Sequence, residues 1–351
     1  MKAWVLYGAG DLRFEEMEVP VLEAGEVLVK VKAAGICASD IPRVYDTGAH
    51  RHPIVPGHEF SGVVEAVGRD VGAAWLGKRV GVYPLIFCEG CIRCTQGQHE
   101  LCRIFDYLGS RRDGGWAEYV RVPMKNLMEL PKGVGFEEAA MLEPVAVAVH
   151  AVRRGTDDFT LPKSAVLAVC GLGAIGMLVV MLLRDAGYRN IYVVGNKERQ
   201  RMRAVSAGIC ADCWCDGGKT DAAAWLRRQA EGVDCFWECT GRNQALSWGA
   251  DSLNPGGKIV LVGNPWSDMA LEKDFYWKLL RNQLTVLGTW NSSFMGSETD
   301  DWHYAMSRME AGRVEPAQLI THSLEFEKLG DGLEMMRKKR EDYCKMMVLS
   351  K

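Results

Sequence analysis

The rhythm of apolar and polar positions changes twice along this 351-residue chain. In the first 140 or so positions it is that of short strands and loops: EVLVKVKAAGIC (26–37) and FSGVVEAVG (60–68) show β-branched alternation punctuated by glycine. EEAAMLEPVAVAVHAVRR (137–154) changes to helical spacing and predicts a single helix of roughly four turns, in spite of Pro144. From residue 164 strand-like and helix-like runs alternate. The strand-like runs are SAVLAVC, NIYVVG, CADCWC, VDCFWECT, KIVLVG and LTVLGT; between them lie helix-like runs such as GMLVVMLLRDAG and DAAAWLRRQAEG. Six strands joined by crossover helices predict a doubly wound parallel sheet. After Thr289 the mixed pattern returns, so an α/β nucleotide domain is expected as an insertion in a mostly β domain.

Composition sharpens this. The length calls for two domains, and 48% hydrophobic residues with 9% aromatics supply a real core. A net charge of -3 without a basic run argues against nucleic acid as partner. The longest apolar stretch is broken by glycines and followed by Arg184 and Asp185, so no membrane span is expected. MKAWVLYGAGDLRFEEMEVP lacks a basic start followed by an apolar run, so no secretory signal is expected and the cytoplasm is the expected compartment. In a reducing compartment the twelve cysteines read first as metal ligands or buried thiols.

Four of them stand in CEGCIRCTQGQHELC. Cys88, Cys91, Cys94 and Cys102 can close one tetrahedral shell, and Gly90 and Gly97 let the backbone wrap an ion. A structural zinc is expected here; reduced thiols and an iron–sulfur cluster are the rivals. A closed shell leaves no place for substrate. Cys37 in GICASD and His58 in PGHEFSG could form half of an open, catalytic zinc shell. That pair is weak by itself, and Glu143 at the head of LEPVAVAVH strengthens it. CGLGAIG follows an apolar strand and opens an apolar helix, the context in which Gly171, Gly173 and Gly176, with Ile175, cradle a dinucleotide pyrophosphate; a tight packing turn is the plain alternative. The next strand ends on Gly195 where an NAD site usually carries an acid. Asn196, Lys197, Arg199 and Arg201 follow, so the electrostatics favour NADP(H) over NAD, unless these cations are only a solvated helix face.

These stretches, with PGHEFSGVVEAVG and GGWAEYV, resemble the zinc-dependent medium-chain alcohol and polyol dehydrogenases from end to end. The resemblance implies a GroES-like, mostly-β catalytic domain over 1–150 and 289–351, carrying the zinc loop 88–102, and an inserted Rossmann domain with a six-stranded parallel sheet over 151–288. It implies two zinc ions per chain. The catalytic one would take Cys37, His58 and Glu143, with Glu59 able to approach the metal; a glutamate at 143, where the alcohol branch has cysteine, favours a polyol. Asp40 would orient His58, and Ser39 would pass the substrate proton outward. DIPRVYDTGAH and DYLGSRRDGGWAEY look most like the polyol-phosphate branch, which includes enzymes acting on galactitol 1-phosphate. Arg43, His50, Arg111 and Arg112 are therefore candidate phosphate or hydroxyl contacts, joined by Asn291, Ser292 and Ser293 in TWNSSF.

The expected activity is hydride transfer between a polyol, or a sugar-alcohol phosphate, and NAD(P), in a homodimer or homotetramer. An unphosphorylated polyol or a simple alcohol is the alternative substrate. A zinc-ribbon interaction protein and a zinc-free reductase acting on quinones or enones are the alternatives of other kinds.

Overall fold

The computed structural model describes residues 1–265 and 267–350. The chain forms two compact units, Met1–Pro144 together with Ser293–Lys351, and Val145–Ser292.

The first unit is built on a seven-stranded sheet. Its order is Ile320–Glu325, Lys345–Leu349, Glu26–Ile36, Phe60–Val67, Arg79–Val82 and Leu127–Glu129, and Tyr119–Pro123 also pairs with the central strand. The alternation in EVLVKVKAAGI buries Val27, Val29, Val31 and Ile36 in a core shared with Phe60, Trp116 and Leu333. Burying each such side chain is worth about 1.5–3 kcal/mol. Register matters more for function. Lys345–Leu349 runs antiparallel to the central strand with Met346 opposite Ile36, and Phe60 lies opposite Ala34 on the other side. The residues just outside these pairings, Cys37, His58, Glu59 and Lys345, therefore meet at one end of the sheet.

The second unit holds the doubly wound sheet, all parallel, in the order Trp214–Asp216, Ile191–Gly195, Leu167–Cys170, Val233–Glu238, Leu253–Leu261 and Thr285–Gly288. Leu167–Cys170 is central and buried throughout, as strands covered on both faces must be.

Two local expectations are corrected. The stretch 137–154 forms two helices, Phe136–Ala140 and Leu142–Gly155, not one. In a continuous helix the Pro144 ring would meet the carbonyl of Ala140; within the first turn of a new helix its missing N–H costs nothing. CADCWC is a strand only over Trp214–Asp216: Ala211–Cys213 makes a tight turn in which Cys213 N donates to Cys210 O at 2.9 Å. Cys213 and Cys215 thus share no strand face; Cys215 is buried and Cys210 exposed.

Candidate active site

At the end of the first unit's sheet, one donor atom each from Cys37, His58 and Glu59 lies within 4.8 Å of the others. A thiol, an imidazole and a carboxylate are a zinc donor set, so the residues fit the ion that the sequence implies. His58 and Glu59 are buried. The Ser39 hydroxyl donates to Cys37 Sγ at 3.2 Å, which puts it beside this group.

Asp40 organises the surroundings. It is fully buried, and it accepts from Cys37 N at 2.9 Å and from the Arg43 guanidinium. Its Oδ1 faces His58 Nδ1 across 3.5 Å, within ion-pair reach but without a hydrogen bond. Burial pushes the Asp40 carboxyl up, but His58, Arg43 and the Cys37 N–H outweigh it and hold the group below its ordinary range. His58 moves the other way: burial lowers it, and Asp40 more than reverses that.

Glu143 stands beside the cluster and outside its 4.8 Å circle. It is buried, and burial raises its carboxyl to about 7, with His58 opposing and the neighbouring Glu59 adding to the rise. The Tyr107 hydroxyl reaches Glu143 Oε1 at 3.5 Å, and the Tyr107 ring is 5.9 Å from that of His58. Glu59 in turn accepts from Lys345, buried like itself. Neither Tyr107 nor Lys345 was singled out by sequence reasoning. Tyr107 lies close in sequence to Arg111 and Arg112, whose charge is the stronger signal; Lys345, the first residue of an apolar strand, carries none.

The thiol loop is a separate cluster. Donor atoms of Cys88, Cys91, Cys94 and Cys102 lie within 4.8 Å of one another. Cys88 N donates to Cys102 Sγ at 3.3 Å, and Cys91 and Cys94 are 3.6 Å apart at sulfur. Backbone N–H groups, that of Arg103 foremost, bring the Cys91 thiol down to about 6, while burial pushes Cys94 up to about 12. Four thiols this close, with amides turned toward sulfur, fit a closed zinc shell.

In the second unit the glycine turn has the shape that a pyrophosphate needs. Gly171 has φ +97°, and a β-carbon on Gly176 would collide with Gly171 O. Open space lies around Gly173 at the amino end of Ala174–Asp185, where Ile175 occupies the first turn. Unpaired N–H groups and the helix dipole favour an anion there. Glu238, which the sequence did not flag, fixes the neighbouring turn. Its buried carboxylate accepts from Thr240 N at 2.6 Å and from Gly241 N at 3.0 Å. At the next strand end a β-carbon on Gly195 would meet the Trp214 ring. Asn196 N and Lys197 N donate to Gln200 Oε1 at 2.9 and 3.2 Å, and Arg201 lies 3.7 Å from the Glu198 carboxylate. An acid does stand in register with Gly195, on the neighbouring strand: Asp216, which accepts from Gly218 N at 2.9 Å and pairs with Lys219 at 3.3 Å.

The candidate substrate contacts divide. Arg43 is engaged by Asp40, and Arg112 by Asp106 and Glu26. His50 N donates to Ser110 O at 3.2 Å, so its loop meets the turn that carries Arg111. The Arg111 guanidinium lies 4.7 Å over Phe105, whose ring is 6.5 Å from Tyr107. Asn291 and Ser292 belong to the second unit; both are buried, and Asn291 Oδ1 accepts from Ser292 N at 2.8 Å. Ser293 exchanges hydrogen bonds with Asp301.

Comparison with known proteins agrees with this architecture. Residues 23–132 match the family model for the alcohol dehydrogenase GroES-like domain, and 174–311 match that for zinc-binding dehydrogenase. Galactitol 1-phosphate 5-dehydrogenase of Escherichia coli K12 is 30% identical over 93% of this chain and 94% of its own. Sorbitol dehydrogenase of Bacillus subtilis is 28% identical over 99% and 97%. Among solved structures, galactitol-1-phosphate dehydrogenase from Escherichia coli superposes with a TM-score of 0.89 at 29% identity over all of both chains. An alcohol dehydrogenase of Escherichia coli CFT073 complexed with NADH gives 0.88 at 26% over 100% and 99% of the chains. A zinc-binding dehydrogenase from Sinorhizobium meliloti bound to NADP gives 0.88 at 26% over 99% of each. Among the described residues no helix is long and apolar enough to cross a membrane.

Proposed function

The chain belongs to the zinc-dependent medium-chain alcohol dehydrogenase family, a family of oxidoreductases, and from that premise we propose that it interconverts the secondary alcohol and ketone of a polyol phosphate, with NADP(H) as partner. The observation that carries the reading is the meeting of Cys37, His58 and Glu59, with Glu143 beside them. Cys37, His58 and Glu143 would hold the catalytic zinc, with Glu59 able to approach it and the fourth position left for substrate, and the four loop thiols would hold a structural one. Zinc at the first site supplies a Lewis acid for a hydroxyl or carbonyl oxygen, and a nicotinamide bound by the Rossmann unit supplies the hydride carrier.

The protein's own groups do the rest. Ser39, beside Cys37 Sγ, would relay the hydroxyl proton, accepting it as its own proton passes outward when the alcohol is oxidised, with the reverse in reduction. Asp40 keeps the His58 ring turned toward its partners. The glycine turn and the amino end of Ala174–Asp185 seat the pyrophosphate. NADP(H) is favoured because Gly195 offers no carboxylate to repel a 2′-phosphate, Lys219 neutralises Asp216, and Lys197 and Arg201 lie nearby in sequence. Arg111, held over Phe105 close to Tyr107, is the candidate for the substrate phosphate, and His50 lies on the adjoining loop.

A spectrophotometric screen following reduced nicotinamide tests the reading, with sugar alcohols offered with and without phosphate and with each cofactor in turn. Turnover fastest on a polyol phosphate with NADP is expected. A simple primary alcohol oxidised while every polyol fails would refute it.

A further inference from the structure

Glu59 has two suitors. Its carboxylate belongs to the Cys37–His58–Glu59 group, and it also forms an ion pair with Lys345, the two side chains being 2% and 4% exposed. The topology builds this pair. Phe60–Val67 and Lys345–Leu349 flank the central strand, and Gly35 on that strand leaves the room between them. A β-carbon at Gly35 would collide with Glu59 Oε2 and lie 3.0 Å from Lys345 Cε. Burying an ammonium costs several kcal/mol unless anions face it. Here Glu59 is the contact partner, and Cys37 and Glu143 add their attraction.

A carboxylate held by a buried lysine is not free to bind a cation at full strength. We propose that Lys345 is a positioning residue that competes with the metal for the Glu59 carboxylate, and so keeps Glu59 from closing the position that substrate oxygen needs. The inference rests on the metal-centre reading above. Without Lys345 the carboxylate has one suitor left: the ion is held more tightly, and the site turns over more slowly because a catalytic centre requires an open position.

The test uses the zinc-loaded enzyme. Zinc release under graded chelator is followed with a metallochromic indicator, and the component that disappears in Cys37→Ala belongs to this site. Lys345→Met is expected to raise zinc affinity in that component about tenfold or more, which is about 1.4 kcal/mol of relieved competition, and to lower kcat more than it changes KM. Lys345→Arg should stay near wild type. Lys345→Gln, which drops the charge and keeps a polar head, gives the same readout should the methionine variant not fold. The decisive arm repeats Lys345→Met in a Glu59→Gln background, where the affinity gain should shrink to less than about twofold. An equal gain in both backgrounds overturns the proposal, because Lys345 would then act on the ion by charge alone. So does an affinity that stays level or falls, as a purely structural lysine would give. If Cys37→Ala removes no component at all, it is the metal-centre reading that fails.

Discussion

The thiol loop takes its donors from one segment, residues 88–102, whereas the central group draws Cys37 from the end of one strand and His58 and Glu59 from the start of its neighbour. The loop's cation, Lys125, pairs with Glu89 and lies 4.5 Å over the Phe87 ring on the surface. The central group has a buried lysine, a fully buried aspartate and an arginine packed around it. The first cluster is local, as the proposed brace would be; the second is assembled by sheet register with charged groups packed around it. Groups outside a ligand set orient the ligands and tune the ion they hold.

Four substitutions probe that difference. Cys37→Ser should cut turnover by about a thousandfold or more, the scale of losing a centre that stabilises developing charge, while zinc analysis still finds the loop ion and circular dichroism the fold. Asp40→Asn should weaken metal binding at the central site by about 10–100-fold and leave the loop ion unmoved, as measured by chelator competition. Cys91→Ser should do the reverse. It should release the loop zinc and destabilise the first unit by about 3 kcal/mol, roughly 6–12 °C in Tm for a unit of this size, while kcat of the protein still folded holds within about twofold. Lys125→Ala, which removes an exposed ion pair, should change stability by less than about 1 kcal/mol and leave turnover alone. A large loss there would erase the contrast with buried Lys345.

The same division governs what could be read before the structure. The inner strands of the nucleotide sheet were legible because runs such as Leu167–Cys170 and Val233–Glu238 are apolar, largely buried and bounded by helical spacing, and the thiol loop because its four cysteines are neighbours in sequence. The break before Pro144 was missed because 137–154 has helical spacing throughout and only backbone sterics divide it. The turn at Cys213 was missed because CADCWC has the composition of a strand, whereas the parallel pairing to Ile191–Gly195 begins only at Trp214. Cys37, His58, Glu59 and Glu143 could be named from motifs. Their spatial order could not: Glu59 joins the close group through strand register, whereas Glu143 stands beside it from the first turn of the helix Leu142–Gly155. Lys345, Tyr107 and Glu238 were invisible for one reason. Each is a common residue type that matters only through a partner remote in sequence or through the turn it fixes.

The most direct measurement of the central claim is anomalous diffraction at the zinc edge from crystals of the zinc-loaded protein. Two peaks per chain are expected, one enclosed by Cys88, Cys91, Cys94 and Cys102 and one between Cys37, His58 and the carboxylates of Glu59 and Glu143. A peak in the thiol loop alone, with the second site bare, would contradict it.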